Sequence, residues 1–313
     1  MNYDIVIVGC GPAGMTAGIY AGRLGLKTAI FEAKQPGGAM ATAHIIENYP
    51  GFELTNGTEL TEKMLAQVKK AGVEVIMEGV ISIVKNKKTK MFEVTTDRKN
   101  IHTAKAIILA TGGEYKKLGI DGEQEFFGRG VSYCVTCDGP LFKGKNVAVI
   151  GGGDTAIKGA LYLADICKNV YVIHRRNEFR AEAANVEQLK GKSNVQMFLS
   201  YIPLEIKGDN VVRSLRIQSL ENEDVKELLV DGIFVCVGEV PLTILAQSLG
   251  VKLNEKGEVI VDDNEETNIK GVWAAGDITR GPRQIITACG EGAKAAIAAY
   301  SYVTSAKAPA LVK

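Results

Sequence analysis

Two cysteines separated by two residues, Cys134 and Cys137, are the residues of this sequence best suited to redox chemistry. Their spacing holds both sulfur atoms close enough to join as a disulfide, and a thiolate is the species that attacks another disulfide. Asp138 follows directly and supplies an acid for this exchange, because leaving thiolates must be protonated. We therefore predict a thiol–disulfide redox pair. The alternative is two unrelated buried cysteines, which the motifs described next disfavour.

Two segments of the chain repeat one plan: a strand, a glycine-rich turn, a helix and a second strand within a unit of about 30 residues. They cover residues 3–32 and 146–176. The glycines allow a tight turn and let backbone amides approach a pyrophosphate at the start of the helix. A purely structural turn is the alternative for either copy alone, and it is much weaker for both. The turn residues are Gly9, Gly11, Pro12, Ala13 and Gly14 in the first copy and Gly151, Gly153, Asp154, Thr155 and Ala156 in the second.

The two copies differ at the end of the second strand. Glu32 and His174 occupy equivalent positions, counted from Gly9 and Gly151. An acid at that strand end hydrogen-bonds the ribose hydroxyls of an adenosine, so the first site fits FAD or NAD. The second site has His174-Arg175-Arg176 followed by Arg180, and cations at this place suit the 2′-phosphate of NADP. We therefore expect FAD at the first turn and NADPH at the second.

Three apolar strands that end in glycine outline the domain organisation: 106–113, 232–238 and 271–277. The third has no partner in the second half of the repeat, so the simplest topology returns the chain to the first domain. We predict an α/β fold with two Rossmann-like nucleotide-binding domains. The FAD-binding domain comprises 1–113 and 241–313, and the NADPH-binding domain at 114–240, with the cysteine pair, is inserted into it. Two crossings by short segments would make a hinge.

Bulk composition excludes several function classes. The chain has 313 residues, 46% of them hydrophobic, and a formal net charge of +1, which gives no reason to expect nucleic acid or a membrane surface as partner. No apolar run approaches the roughly 20 residues that span a bilayer, and no signal-peptide pattern precedes the first strand, so a cytoplasmic location is expected. In that compartment the six cysteines are not a structural disulfide framework. A single pair with ligand spacing predicts no metal site.

Taken together, these motifs resemble those of the low-molecular-weight thioredoxin reductases. The resemblance covers essentially the whole chain. It is carried by the Cys-Val-Thr-Cys-Asp-Gly run just before the second glycine turn, the His-Arg-Arg run and Arg180, and three further motifs. These are Glu47-Asn48-Tyr49-Pro50-Gly51, Ala275-Gly276-Asp277 and Arg283-Gln284. The related glutathione-reductase type is disfavoured, because its redox cysteines lie in the first nucleotide domain, where only Cys10 occurs in this chain.

The resemblance implies an NADPH-dependent thioredoxin-disulfide reductase that is a homodimer, binds FAD and acts on thioredoxin or a thioredoxin-like protein. It also implies that Cys137 lies nearest the flavin, that Cys134 attacks the protein disulfide and that Asp138 is the acid. A helix beginning near Gly290 would point its positive end at the flavin. The FAD-binding residues implied are Gly9, Gly11, Pro12, Ala13, Gly14, Glu32, Gly37, Gly38, Asn48, Val80, Gly112, Gly276, Asp277, Arg283, Gln284 and Ile285. The NADP-binding residues implied are Gly151, Gly153, Asp154, Thr155, Ala156, His174, Arg175, Arg176, Arg180 and Gly238.

The sequence departs from the family pattern at two places. Ala39 stands where Gln is common, and Lys158-Gly159 replaces an acidic pair in the helix after the second turn, which leaves the strictness for NADPH open. Two alternatives remain: an NADP-dependent ferredoxin or flavodoxin reductase on the same scaffold, or a reductase that uses another hydride donor. The former usually lacks a cysteine pair. Cys10, Cys167, Cys236 and Cys289 are expected to be small buried hydrophobes. The stretch 85–100 is expected to be a surface hairpin.

Overall fold

The computed structural model describes residues 1–43 and 45–305. Within this part of the chain there are two compact units. Unit 1 contains Met1–Glu114 and the chain from Val240 onward, and unit 2 contains Tyr115–Glu239. Residues 306–313, the last of the predicted FAD-binding domain, lie outside the described residues. None of the described helices is both long and apolar enough to cross a membrane.

Strands and helices alternate along most of the chain. From the start they are β1 (Asn2–Val8), α1 (Pro12–Arg23), β2 (Thr28–Phe31), a 3-10 helix (Gly38–Thr42), α2 (Gly57–Lys70), β3 (Glu74–Ile76), β4 (Val80–Lys85), β5 (Phe92–Thr96), β6 (Ile101–Leu109) and β7 (Gly113–Tyr115). Next come β8 (Val131–Ser132), α3 (Val135–Asp138), a 3-10 helix (Gly139–Phe142), β9 (Asn146–Ile150), α4 (Asp154–Ile166), β10 (Asn169–His174), α5 (Ala183–Lys190), β11 (Val195–Leu199), β12 (Tyr201–Gly208), β13 (Val212–Ser219), β14 (Val225–Leu229) and β15 (Gly232–Val235). The last are β16 (Glu239–Pro241), α6 (Ile244–Ser248), β17 (Val272–Ala274) and α7 (Ile285–Ser305).

Unit 1 is built, within its described residues, on a seven-stranded sheet in the order β3-β2-β1-β6-β5-β4, with β17 beside β6. The strands β3, β2, β1, β6 and β17 run parallel, whereas β4 and β5 form an antiparallel hairpin on β6. The register places Val272 opposite Ile107 and Ala274 opposite Leu109. The third glycine-marked strand of the sequence therefore returns to the sheet of the first glycine turn.

Alternate residues of β1 point to opposite faces of this sheet, and both faces are buried. Ile5 and Ile7 lie in a core that the helices α1, α2 and α7 cover. Val6 and Val8 lie in a second core, which includes residues of β2, β6 and β17. Burial on both faces explains why the strand reads as an unbroken apolar run in the sequence.

A hairpin is present, but its strands are β4 and β5, so it begins five residues before the predicted range 85–100, and it is not simply a surface feature. Phe92 and Val94 have no exposed area and belong to the second core. The charged residues between the strands hide this burial in a sequence reading, because only alternate residues of β5 face inward.

Unit 2, which is described throughout, contains a parallel five-stranded sheet in the order β11-β10-β9-β15-β8 and an antiparallel sheet in the order β12-β13-β14. Its β9-α4-β10 segment repeats the β1-α1-β2 arrangement of unit 1, as the two glycine turns predict. The predicted α/β class is therefore confirmed. The chain passes from one unit to the other at β7 and at β16.

The prediction that a helix begins near Gly290 is wrong. Helix α7 begins at Ile285, so Gly290 and Gly292 lie inside it. A Cβ atom at Gly292 would collide with the carbonyl group of Ala13 in α1. Glycine is therefore present there because α7 crosses α1 at close range, and not because a helix starts.

Candidate active site

Cys134 and Cys137 are joined as a disulfide in unit 2, with their Cα atoms 5.3 Å apart. Cys134 caps the start of α3, and the Cys137 amide donates a hydrogen bond of 3.2 Å to Cys134 Sγ. Cys137 is exposed and Cys134 is half-buried. The amide of Cys137 is therefore placed to donate to the sulfur of Cys134. The pair is thus arranged to exchange between disulfide and dithiol.

The backbone around Cys134 is held by short contacts. Ser132 Oγ accepts a hydrogen bond of 3.0 Å from the Cys134 amide and donates one of 3.3 Å to its carbonyl oxygen. Thr136 Oγ1 lies 3.4 Å from Cys134 Sγ. Asp138 ends α3, and its amide donates a hydrogen bond of 3.1 Å to the Cys134 carbonyl oxygen. Asp138, which is half-buried, therefore lies within about one helical turn of both cysteines.

A buried acid that the sequence analysis missed lies beside the redox pair. Glu123 is 3% exposed and accepts hydrogen bonds of 2.8 Å from the Tyr133 hydroxyl and from the amides of Leu118 and Gly119. Burial, followed by the contact with Glu123, raises the pKa of Tyr133, which also stacks on Tyr115 at 5.2 Å between ring centres. Glu123 therefore fixes the residue that precedes Cys134. No motif marks this acid, because its partners lie in loops.

The other cysteines, all within the described residues, have no such arrangement. Burial raises the pKa of the Cys167 thiol to about 11, and burial with the charge of Glu32 raises that of Cys10 to about 12. Burial also raises the pKa values of Cys236 and Cys289. These thiols stay protonated near neutral pH. Cys10, Cys167 and Cys289 are buried, as predicted, whereas Cys236 is half-buried.

The first glycine turn brings the end of β1 against the start of α1. Gly9 has a φ of +104°, and a Cβ atom there would collide with the carbonyl oxygen of Ala110; one at Gly14 would collide with that of Gly9. Gly11 is the residue before α1, where no side chain caps the helix, and Pro12 is its first residue. The uncapped amides at this helix start are therefore available to an anion such as a pyrophosphate.

Glu32 follows β2, and its carboxylate binds the backbone of this turn. Its Oε2 atom accepts a hydrogen bond of 2.8 Å from the Cys10 amide, and its Oε1 atom accepts one of 2.9 Å from the Lys34 amide. The carboxylate is thus oriented by the backbone at the place where the ribose of a dinucleotide would lie.

Two further glycines from the predicted FAD set lie against the same turn. The Gly37 amide donates a hydrogen bond of 2.8 Å to the Cys10 carbonyl oxygen, and a Cβ atom at Gly38 would lie 3.4 Å from Gly11 Cα. Both have positive φ angles, 102° and 54°. The structure therefore brings Gly37 and Gly38 to the first glycine turn.

Val80 and Gly112 lie at the margins of this group. Val80 begins β4 directly after Gly79, where a Cβ atom would lie 3.3 Å from that of Ala33, the neighbour of Glu32. Gly112 follows β6, has a φ of +68° and faces open space. Val80 therefore follows a residue that packs beside Glu32, and Gly112 lies two residues after Ala110, which packs on Gly9.

The turn after β17 packs on the start of α1. Gly276 has a φ of +82°, and a Cβ atom there would lie 3.0 Å from that of Ala13. Burial raises the pKa of Asp277, against the opposing effect of Arg283. Within residues 1–43 and 45–305 no hydrogen bond reaches the Asp277 carboxylate. A half-buried acid that the described chain leaves without a donor fits the hydroxyl groups of a bound ligand.

The residues before α7 form one connected group. Arg283 has a φ of +52°, and its Nη2 atom donates a hydrogen bond of 2.8 Å to the Oε1 atom of buried Glu258. The Asn48 side-chain amide donates one of 3.2 Å to Gln284 Oε1. Ile285 is the first residue of α7, so the positive end of this helix lies here rather than at Gly290. Glu258 is a second buried acid that the sequence does not mark.

The second glycine turn has the same construction in unit 2. Gly151 has a φ of +151°, and a Cβ atom there would collide with the carbonyl oxygen of Cys236 and lie 2.9 Å from the side chain of Ala156. Gly153 precedes α4, where again no side chain caps the helix. Thr155 is exposed on the first turn. This helix start also presents its amides to an anion.

The loop after β10 is fastened to that turn by two hydrogen bonds. The Arg180 amide donates one of 2.7 Å to the Gly152 carbonyl oxygen, and the Glu182 amide donates one of 2.9 Å to Asp154 Oδ1. Asp154 therefore holds the loop that carries Arg180, a role that the glycine motif alone does not indicate.

The cations of this loop are its arginines. His174 is 5% exposed, and its ring stacks on Phe179 with 5.5 Å between ring centres. Burial lowers the pKa of His174, so the imidazole is neutral near pH 7, whereas Arg175 and Arg176 are exposed. Gly238, with a φ of +107°, follows β15 in the same unit. The charge available to a phosphate therefore comes from the arginines alone.

Among the described residues no group of three or more His, Cys, Asp or Glu side chains could hold a metal ion.

Comparison with known proteins gives a consistent assignment. The family model described as pyridine nucleotide-disulphide oxidoreductase matches residues 3–292. The thioredoxin reductase of Helicobacter pylori is 41% identical over 308 residues, which cover 96% of this chain and 98% of that protein. The thioredoxin reductase of Bacillus subtilis is 39% identical over 303 residues, which cover 96% of this chain and 95% of that protein.

Solved structures agree with these relatives. The thioredoxin reductase from Streptococcus pyogenes superposes with a TM-score of 0.92 at 38% identity, covering 97% of this chain and 99% of that one. The match extends over both glycine turns and the cysteine pair, so the likeness does not rest on one nucleotide motif. The chain belongs to the pyridine nucleotide-disulphide oxidoreductase family.

Proposed function

We propose that the chain is a thioredoxin-disulfide reductase, which passes electrons from NADPH through FAD and the Cys134–Cys137 disulfide to thioredoxin or a thioredoxin-like protein. The observation that carries this proposal is the disulfide itself, formed on α3 with the Cys137 amide donating to Cys134 Sγ. A reductase that does not act on a disulfide substrate has no use for a reducible cysteine pair in the unit that also contains the second glycine turn.

The first glycine turn and its neighbours fit FAD. The uncapped start of α1 receives the pyrophosphate, Glu32 the ribose hydroxyls, and the Asp277 carboxylate a further hydroxyl or phosphate-bound group. The family resemblance implies that the flavin ring would lie beside four residues of the same region: Asn48, Arg283, Gln284 and Ile285. Bound there, FAD would supply the two-electron chemistry that links the nicotinamide to the disulfide.

The second turn fits NADPH in the same way. The start of α4 receives its pyrophosphate, and Arg175, Arg176 and Arg180 surround the 2′-phosphate. Lys158, on α4, lies 3.7 Å from Oε2 of Glu182, the residue before α5, as an exposed ion pair. An ion pair of this kind leaves the helix start free for the phosphates.

The dithiol form completes the reaction by two exchanges. The Cys134 thiolate attacks a sulfur of the target disulfide, which forms a mixed disulfide and releases one target thiolate. The Cys137 thiolate then attacks Cys134 Sγ, which restores the Cys134–Cys137 disulfide and releases the second target thiolate. Asp138 provides protons for these leaving groups, so that two electrons and two protons reach the target.

Three further features are proposed on the family resemblance. The FAD-binding domain comprises 1–113 and 241–313, with the NADPH-binding domain, 114–240, inserted into it. Two such chains form a homodimer. The protein works in the cytoplasm, where its thioredoxin substrate is kept reduced.

The test is steady-state reduction of a thioredoxin disulfide by the FAD-loaded protein, with NADPH or NADH as donor. The proposal expects turnover that needs both NADPH and thioredoxin. Cys134→Ser and Cys137→Ser should each abolish it, whereas Cys167→Ser, which changes a buried cysteine of the same unit, should retain it. NADPH oxidation that never yields reduced thioredoxin would overturn the proposal.

A further inference from the structure

One of the two residues between the redox cysteines, Val135, packs on helix α4 at a glycine. Val135 is 8% exposed, and a Cβ atom built on Gly159 would lie 2.9 Å from Val135 Cγ2 and 3.4 Å from both its Cβ and Cγ1 atoms. Gly159 lies inside α4, where alanine would normally be the better helix former. Its presence therefore has a steric reason: the side chain of Val135 occupies the space that a larger residue needs.

A second contact of the same kind lies one turn further along the redox segment. A Cβ atom at Gly139 would lie 2.9 Å from Tyr162 Cε1 and 3.3 Å from Leu163 Cδ2, both side chains of α4. The segment that carries Cys134, Cys137 and Asp138 thus lies on α4 through two contacts, each of which has glycine on one side. We call this pair of contacts the α3 seat.

The α3 seat has no room for a further carbon atom at Gly159, so a larger residue there would displace α3. Valine is branched at Cβ, and a new methyl group at Gly159 would meet more than one of its carbons. Rotation of the side chain therefore does not relieve the clash. The displacement falls on the first turn of α3, where the Cys137 amide donates to Cys134 Sγ at 3.2 Å.

We propose that Gly159 is a positioning residue for the redox pair: by admitting Val135, it holds α3 where the Cys137 amide stabilises the Cys134 thiolate. The inference rests on the redox role proposed above for Cys134 and Cys137. It also explains why glycine replaces the second acid of the acidic pair that the family has at 158–159. An acidic side chain at Gly159 would collide with Val135.

The test compares Gly159→Ala, Val135→Ile, and the double variant Gly159→Ala with Val135→Ala, all loaded with FAD. The thiol–disulfide equilibrium is measured in dithiothreitol buffers, and the pH midpoint of Cys134 alkylation is measured on the reduced proteins. A weaker hydrogen bond to the thiolate destabilises the reduced form. We expect Gly159→Ala to shift the equilibrium constant about tenfold toward the disulfide, equivalent to about 30 mV, and to raise the alkylation midpoint.

Val135→Ile enlarges the other side of the seat and should shift both quantities in the same direction. The double variant removes the two methyl groups of Val135 and so makes room for the one added at Gly159; it should return both quantities to within about twofold of the unaltered protein. Gly191→Ala, at the end of α5 in the same unit, is the matched control and should change neither.

Two results would overturn the inference: unaltered values in both Gly159→Ala and Val135→Ile, or a double variant as far displaced as Gly159→Ala alone. Failure of the proposed function gives a different result. In that case the unaltered protein itself would show no reversible Cys134–Cys137 equilibrium in the same buffers.

Discussion

The carboxylate of Glu291 accepts a hydrogen bond of 2.7 Å from the amide of Gly276, the residue before Asp277. The same Oε2 atom accepts one of 3.1 Å from the Thr279 hydroxyl. Since Glu291 lies in α7, this helix fastens the turn that carries Asp277. The shape of the proposed FAD site therefore depends on an acid that does not itself have to touch the ligand.

Glu291→Ala should weaken FAD binding through this turn. Hydrogen bonds to a charged group contribute about 1.5–3 kcal/mol, so a rise in the FAD Kd of about tenfold or more is expected. The measurement is fluorescence titration of the apoprotein with FAD. Glu62→Ala, an exposed acid of α2, is the control and should bind normally. An unchanged Kd in Glu291→Ala would contradict the role given to the turn.

Removal of both Arg175 and Arg176 should change the choice of donor. Each charge-assisted contact to a phosphate is worth about 1.5–3 kcal/mol, so the NADPH KM should rise by about tenfold or more. The NADH KM should hardly change, because NADH lacks the 2′-phosphate. Arg213→Ala on β13 is the control for loss of positive charge in the same unit. Equal efficiency of the unaltered protein with both donors would count against the assignment.

Stability should fall at mildly acidic pH because of His102. Its ring is 9% exposed and packs edge-on against Phe31, and both of its nitrogens lack a partner among the described residues. Burial lowers the pKa of His102 below its usual value. The unfolded chain therefore binds the proton more tightly, so this contribution is complete above about pH 6.5 and is lost as the pH falls below it.

One such histidine changes the free energy of unfolding by at most about 1.4 kcal/mol per pH unit below its unfolded pKa. Urea unfolding of the unaltered protein between pH 7.5 and 5.5 should show this decline, and His102→Phe should make it shallower. His174 is buried with its pKa lowered as well, so a residual slope is expected in the variant. An identical pH dependence in the two proteins would refute the role of His102.

The sequence predicts well what neighbouring residues determine. Both strand–turn–helix–strand units follow from apolar runs and from glycines at fixed places, and Gly9 and Gly151 show why: no other residue fits their φ angles and close contacts. The redox pair is equally local, since two residues of spacing suffice to bring the sulfurs together.

What the sequence does not predict depends on partners far along the chain. Glu123 and Glu258 are buried acids and Glu291 is a half-buried one, and their donors come from loops or from distant elements, so their spacing carries no signal. The start of α7 escapes prediction for a related reason. Glycine at 292 is typical of a helix end, but in this fold it is required by the approach of α1.

Thiol labelling tests the central claim most directly. The FAD-loaded protein is incubated anaerobically with NADPH, alkylated without denaturation and analysed by peptide mass spectrometry. We predict new labels at Cys134 and Cys137 that depend on NADPH, with the buried thiols of Cys10, Cys167 and Cys289 unlabelled under the same conditions. A protein whose flavin is reduced by NADPH while Cys134 and Cys137 stay unlabelled would contradict the account.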